Sequence, residues 1–103
     1  MKTFMHSMLV GIGIVLLTQT ATADITKGKK IYMKRLKTAC GYTGDKFARK
    51  HTQDEWEKIY ESGKLKEEAL RLCPGARLKD KYIKHLFDFV YEYASDSGKT
   101  PSC

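Results

Sequence analysis

The stretch from Lys79 to Ala94 places the strongest constraint on how this chain can fold. Its apolar residues recur at helical spacing and cover a wider surface than a lone surface helix needs. These apolar positions are Tyr82, Ile83, Leu86, Phe87, Phe89, Val90 and Tyr93. A helix of this kind has to pack against two neighbours. We expect these to be the first helix of the folded domain and the helix that carries Trp56.

The first helix is predicted at about Lys27 to Lys37. Thr26 is placed to cap it, and Gly28, Tyr32 and Leu36 share one face at i, i+4 spacing. A turn that contains two glycines follows and breaks the pattern.

Two more helices lie between this turn and the last helix. The second begins at Thr52, which forms a capping box with Glu55, carries Trp56 on its apolar face and ends at Gly63. The third spans about Leu65 to Leu72. Because no stretch shows convincing strand alternation, the sequence predicts a small all-α domain of about four helices, with the first and last helices packed across each other.

A secretory signal peptide is predicted over residues 1–23. Lys2 gives a positive start, Met8 to Leu17 form a short apolar core, and Ala21 to Ala23 match the small-x-small cleavage pattern. This apolar core is too short to span a bilayer, which needs roughly 20 residues. We therefore expect cleavage near Ala23, location in the periplasm or elsewhere outside the cytoplasm, and one domain over residues 24–103 with a loose tail from about Ser95.

Positive charge is concentrated at the start of this expected domain. Asp24 to Lys50 contains nine basic and two acidic residues, whereas the remainder contains nine basic and ten acidic residues. A basic patch on an exported protein suits acidic partner proteins, or membrane headgroups contacted through the basic face. Nucleic acid is not an expected partner outside the cytoplasm. The alternative interpretation is a lysine face that is merely solvated.

Three cysteines, Cys40, Cys73 and Cys103, allow one disulfide and leave one thiol over. An exported domain of 80 residues benefits from such a bridge, because a chain of this size buries only about 60% of its unfolded surface. The remaining thiol is either mobile on the tail, paired with another molecule, or a ligand. The cysteine count alone leaves the pairing open.

The order of these elements resembles a class I cytochrome c. Such domains begin with a helix of the type Gly-x-x-hydrophobic-aromatic, as in Gly28 to Tyr32, and contain a central helix introduced by a pattern like Thr52 to Trp56. They close with a long aromatic-rich helix that lies across the first. The resemblance implies that Gly28 lets the two helices approach, with Tyr32 near Leu86 or Phe89, and that the function is electron transfer in the periplasm.

The sequence departs from this family at the haem attachment site. The family's Cys-x-x-Cys-His run falls on Leu36 to Cys40, which places Leu36 and Ala39 at the two thioether positions and Cys40 at the position of the iron ligand. Covalent haem of the family's type is therefore excluded. No methionine follows Met33, and Cys73 is the nearest sulfur to the family's second ligand position.

The resemblance leaves three interpretations of the cysteines. In the first, the domain carries no cofactor, and Cys40 and Cys73 form a disulfide across the former haem pocket. In the second, haem binds noncovalently, with Cys40 on the iron and His51, His85 or Cys73 opposite. Zinc on the same residues lacks supporting ligand spacing.

In the third interpretation the thiols are active, and Cys103 attacks a Cys40–Cys73 bond in thiol–disulfide exchange. No arrangement of catalytic residues is recognisable, so an enzyme is not expected. The expected role is that of a binding or accessory module that docks a periplasmic redox protein with an acidic surface. The residues expected to bind this partner lie on the first helix and are Lys29, Lys30, Lys34, Arg35 and Lys37.

Overall fold

A computed structural model describes residues 25–101, and the expected signal peptide and Cys103 lie outside this range. Residues 25–101 contain five helices and no strand, which confirms the predicted all-α class. The helices are α1 (25–40), α2 (Gly44–Ala48), α3 (Gln53–Glu61), α4 (Leu65–Leu72) and α5 (Ile83–Glu92), and a 3₁₀ turn at Asp80–Tyr82 leads into α5. Within this range no helix combines the length and apolar character that a membrane span requires.

Helix α1 is longer than expected and changes its winding midway. Residues 25–31 and Lys37–Cys40 are α-helical, whereas Tyr32–Leu36 form a π-helical segment. Gly41 ends the helix with a φ of 80°, in the left-handed region that favours glycine. The prediction that Thr26 caps the helix was wrong, because residue 25 is already helical.

Helices α1 and α5 cross in close contact at Gly28. A Cβ atom at this position would overlap the backbone carbonyl oxygen of His85 and would lie 2.7 Å from the Cβ of Phe89. One turn further along, the rings of Tyr32 and Phe89 stack with centroids 6.2 Å apart. The predicted packing of the first and last helices is confirmed, and Gly28 allows their close approach as expected.

The second neighbour of α5 is α3, also as predicted. The rings of Tyr60 on α3 and Phe87 on α5 stack almost parallel, with centroids 4.3 Å apart. Trp56 is fully buried, and its indole N–H donates to the carbonyl oxygen of Ala48 at 2.7 Å. The capping box between Thr52 and Glu55 is present at the start of α3.

Helix α2 begins at Gly44, the second glycine of the expected turn, in a stretch where no helix was predicted, and it raises the count to five. Thr43 caps it, with its side chain accepting from the backbone N–H of Lys46. The helix carries Phe47 into the core, where its ring lies 5.0 Å from that of Tyr32 and 5.8 Å from that of Trp56. The five residues of α2 are too few to be recognised by periodicity, and burial of Phe47 stabilises the helix instead.

The segment after α5 is attached to the domain as far as residue 101, so the expectation of a loose tail from Ser95 needs correction. The backbone N–H of Ser95 donates to the carbonyl oxygen of His51 at 3.1 Å, and the Asp96 carboxylate accepts from the first amide of α3 at 2.9 Å. Lys99 pairs with Glu92 at 2.7 Å, and Pro101 is buried. The polar residues that suggested a loose turn are the groups that attach it.

Replacing Gly28 with alanine tests the crossing of α1 and α5. Helix propensity alone would make Gly28→Ala stabilising by about 1 kcal/mol. Because the added methyl group meets backbone atoms of His85, we expect instead a loss of about 2 kcal/mol or more in the free energy of unfolding, measured in urea. Thr26→Ala, at an exposed position on the same helix, serves as control. A more stable Gly28→Ala protein would contradict the close approach.

Candidate functional site

A disulfide joins Cys40 at the end of α1 to Cys73 directly after α4, so the expected bridge is present. Their Cα atoms lie 4.2 Å apart, and Cys73 is completely buried. Two hydrogen bonds hold the backbone next to the two cysteines. The Tyr32 hydroxyl donates to the carbonyl oxygen of Tyr42, and the Tyr42 hydroxyl donates to the carbonyl oxygen of Leu72 at 3.4 Å. Two tyrosines therefore fix the backbone on both sides of the bridge.

The four residues expected to ligate a haem do not form a ligand set in this arrangement. Cys40 and Cys73 are bonded to each other, so neither offers a thiolate to iron. His51 and His85 lie in different surroundings, described below. Among residues 25–101, no group of three or more His, Cys, Asp or Glu side chains is placed to hold a metal ion. These residues do not fit a noncovalent haem while the disulfide is closed.

His51 lies between two carboxylates at the entry to α3. Its Nε2 atom is 2.6 Å from Glu68 and its Nδ1 atom is 3.4 Å from Glu55. The imidazole also meets the ring of Trp56 edge-on, with centroids 4.7 Å apart. His51 thus links the start of α3 to α4, and its contacts are those of a structural residue.

Glu68 on α4 receives bonds from two sides. The guanidinium of Arg71 donates to both carboxylate oxygens, and the Nε2 atom of His51 lies at one of them, Oε2. Chiefly because of the hydrogen bonds from Arg71, the pKa of Glu68 falls from 4.5 to about 2. The carboxylate therefore stays charged at neutral and mildly acidic pH.

A basic groove runs between α1 and the start of α5, and it is the second candidate site. Its volume is about 540 Å³. We call it the cationic groove, and it is lined by Lys27, Lys30, Ile31, Lys34, Arg35, Lys81, Tyr82 and His85. His85, which the sequence offered as a haem ligand, lines this groove.

The positive charge of the cationic groove is not neutralised by carboxylates within residues 25–101. Asp80 pairs with Lys66 at 3.1 Å, and Asp88 pairs with Lys84 at 2.8 Å, so both nearby acids are engaged by other lysines. Inside the groove, Arg35 and Lys81 both lie over the ring of Tyr82, at 5.5 and 5.4 Å from its centroid. A hydrogen bond from Arg35 and the charge of Lys81 lower the pKa of the Tyr82 phenol.

A second, smaller groove of about 480 Å³ adjoins the cationic groove along α1. It shares Lys34 and Arg35 and is completed by Thr38, Ala39 and residues 74–77, which include Arg77. Because Ala39 precedes Cys40 and Pro74 follows Cys73, the disulfide holds the two walls of this groove together.

The structure divides the residues that were expected to bind a partner. Lys30, Lys34 and Arg35 line the cationic groove, whereas Lys29 and Lys37 line neither groove.

The groove residues that the sequence analysis missed include Lys27, Arg77, Lys81 and Tyr82. Lys27 could have been found, because it lies three and seven residues before Lys30 and Lys34 on the same helix. The other three come from distant segments, and only the packing of α5 and of the loop after Cys73 brings them to α1.

The comparisons with known proteins give no relative: no family model, no curated protein and no solved structure matches this chain. The likeness to class I cytochromes c therefore rests on the residues of this sequence alone.

Removing the disulfide should lower stability without abolishing the all-α fold. Cys40→Ala/Cys73→Ala is expected to reduce the free energy of unfolding by about 3–4 kcal/mol, because the bridge closes a loop between residues 33 positions apart. Unfolding in urea measures the loss, and Cys103→Ser serves as the control. Alkylation under denaturing, non-reducing conditions should modify a single thiol. Three modified thiols would show that the bridge does not form.

Glu68 should make stability depend on acid pH. Its pKa is about 2 when folded and 4.5 in the reference state, so it contributes stability above pH 4.5 that is lost as the pH falls through 2. Since Arg71 is exposed, we expect the contribution at neutral pH to be about 1–2 kcal/mol, below the full conversion of the shift.

Thermal unfolding of Glu68→Gln and of the unmodified chain over this pH range tests the expectation. The difference between them should be largest above pH 4.5 and vanish near pH 2. Glu67→Gln changes an exposed neighbour on the same helix and should have little effect. A Glu68→Gln deficit that persists unchanged at pH 2 would contradict the ion-pair explanation.

Proposed function

We propose that this chain is an exported cytochrome c-like binding module without covalent haem, which docks an acidic protein of an electron-transfer system. The observation that carries the docking role is the cationic groove. Lysine and arginine side chains from α1 and from the turn before α5 surround an apolar floor there. A concave, positively charged surface attracts proteins of opposite charge and raises their association rate.

The disulfide supports the part of the proposal that concerns haem. Cys40 and Cys73 are the sulfurs at the two positions that correspond to the iron ligands in the resemblance, and each is bonded to the other. The bridge also fixes the loop that carries Arg77 against α1. In this proposal the bridge takes over the structural role that the haem has in the resembling family.

The noncovalent haem alternative requires a different state of the same residues. The bridge would have to be reduced before Cys40 could ligate iron, and Cys73 would have to leave a completely buried position. Thiol–disulfide exchange with Cys103 meets a related obstacle, because an attacking thiolate needs access to a sulfur. Cys40 is half-buried and Cys73 is inaccessible, so an attack at Cys40 is the only route that the described residues offer.

Purification of the mature chain from the periplasm of an exporting host tests the haem part. The visible spectrum should contain no haem band, and addition of free haem to the oxidised protein should produce no thiolate-ligated spectrum. A haem band in the purified, non-reduced protein would refute this part of the proposal.

Salt-sensitive retention of an acidic redox protein tests the docking part. The immobilised chain is exposed to periplasmic extract at about 20 mM salt and eluted at about 500 mM, where charges are screened within a few ångströms. Retained proteins count only if they are acidic and carry a redox group.

Lys30→Glu/Lys34→Glu should reduce retention of such a protein at least about tenfold, because two charges are reversed in one groove. Lys58→Glu, an exposed position on α3, is the matched control. Equal retention by the double variant and the control would refute docking through the basic surface.

A further inference from the structure

We infer that the cationic groove binds a short acidic segment of a partner protein. In this segment an apolar side chain lies between the carboxylates and inserts into the groove. This inference rests on the proposed docking function and specifies the chemistry of the element that docks. It names the groove between α1 and the start of α5 as the contact, in place of the whole lysine-rich helix.

The position of the lysines sets the length of the segment. Lys27, Lys30 and Lys34 line one side of the groove over seven residues of α1, which corresponds to about 10 Å. Two turns of a helix, or about three residues of extended chain, cover this distance. Carboxylates spaced like the lysines, three and four residues apart on a helix, would meet all three of them.

The apolar residues that line the groove favour an apolar side chain in the segment. Ile31 is 9% exposed, and Tyr82 and His85 are half-buried, so these three residues add aliphatic and aromatic surface among the charges of the groove. An aliphatic or aromatic side chain placed there is removed from water, and this burial makes the binding free energy more favourable by about 25 cal/mol for each Å². A purely acidic segment would leave this surface unfilled.

The charged residues that line the groove favour carboxylates in the segment. Four lysines and one arginine line the groove, and carboxylates within residues 25–101 do not pair with them. Bringing cations together raises the potential of the groove, and an anionic ligand lowers it. Arg35 donates to the Tyr82 hydroxyl at 3.5 Å through one nitrogen, so its other N–H groups can donate to a carboxylate.

The recessed position of the apolar residues favours a protein segment over a membrane surface. Membrane-binding faces insert protruding apolar side chains into the headgroup region. In residues 25–101 the one exposed large apolar side chain is Met33, at 42%, and it does not line the groove. Because Ile31 is almost completely buried, a flat bilayer would contact the lysines without reaching it, whereas a protruding side chain can enter the groove beside it.

Synthetic peptides test the inference on the full oxidised chain. The first peptide is a helical 12-mer with three glutamates at the spacing of the lysines and one leucine between them. The second has serine in place of that leucine, and the third has the same composition in scrambled order. Fluorescence anisotropy with labelled peptides gives the dissociation constants at about 50 mM salt, where screening is moderate.

We expect the leucine peptide to bind about tenfold more tightly than the serine peptide, since one buried side chain contributes on this scale. Lys30→Glu should weaken the leucine peptide about fivefold to tenfold. Lys37→Glu, on the same helix but outside the groove, should change binding less than twofold. Tyr82→Ser should remove the advantage of leucine over serine.

Three results would overturn the inference. The serine and scrambled peptides could bind as well as the leucine peptide, or Lys37→Glu could weaken binding as much as Lys30→Glu. Vesicles of anionic phospholipid could also bind with the same dependence on Lys30 and Tyr82.

The docking function can fail separately from the segment. An acidic redox protein could be retained in a salt-sensitive way while Lys30→Glu leaves the dissociation constants of the peptides unchanged. That result would support the docking function and refute the acidic segment. If the peptides bind as expected but no acidic redox protein is retained, the partner class in the proposed function is wrong and the groove chemistry stands.

Discussion

The contact between the backbone of α1 and that of α5 at Gly28 is the constraint on which the rest of the structure depends. Since this position has no side chain, the carbonyl oxygen of His85 can approach the helix axis, and Tyr32 can stack on Phe89 deeper in the core. The same approach brings the turn before α5, with Lys81 and Tyr82, alongside the lysines of α1. One interaction therefore closes the core on one side and forms the cationic groove on the other.

Patterns that are local in sequence predicted most of the helical framework. The capping box at Thr52 and the apolar spacing from Leu65 to Leu72 involve residues within one or two turns of each other, and both are present as predicted. Helix α2 and the attachment of the tail were missed because they depend on distant partners. The ring of Phe47 needs Tyr32 and Trp56, and the tail needs the start of α3.

The candidate site was predictable to a smaller extent, for the same physical reason. A helix that is rich in lysine is visible in the sequence, but a helix presents lysines on several faces, and only packing decides which of them share a groove. Lys30 and Lys34 share one with Lys81, which is far away in sequence, whereas Lys37 does not. The π-helical winding of Tyr32–Leu36 adds to this, because it changes the angular position of every residue that follows.

The disulfide and the cationic groove both involve helix α1, which ends at Cys40 and carries most of the groove's charges. Reversing the charge of the groove would not open the core, because the lysines and Arg35 are exposed and the buried residues are apolar. Opening the bridge would act on the smaller groove that adjoins the cationic groove, because Cys40 ends the helix that forms one of its walls and Cys73 precedes the loop that forms the other. Stability and surface charge are thus carried by separate residues of α1, with Gly28, Tyr32 and Leu36 inside and the cations outside. Such a division allows the charges on the surface of α1 to change while the bridged core stays the same.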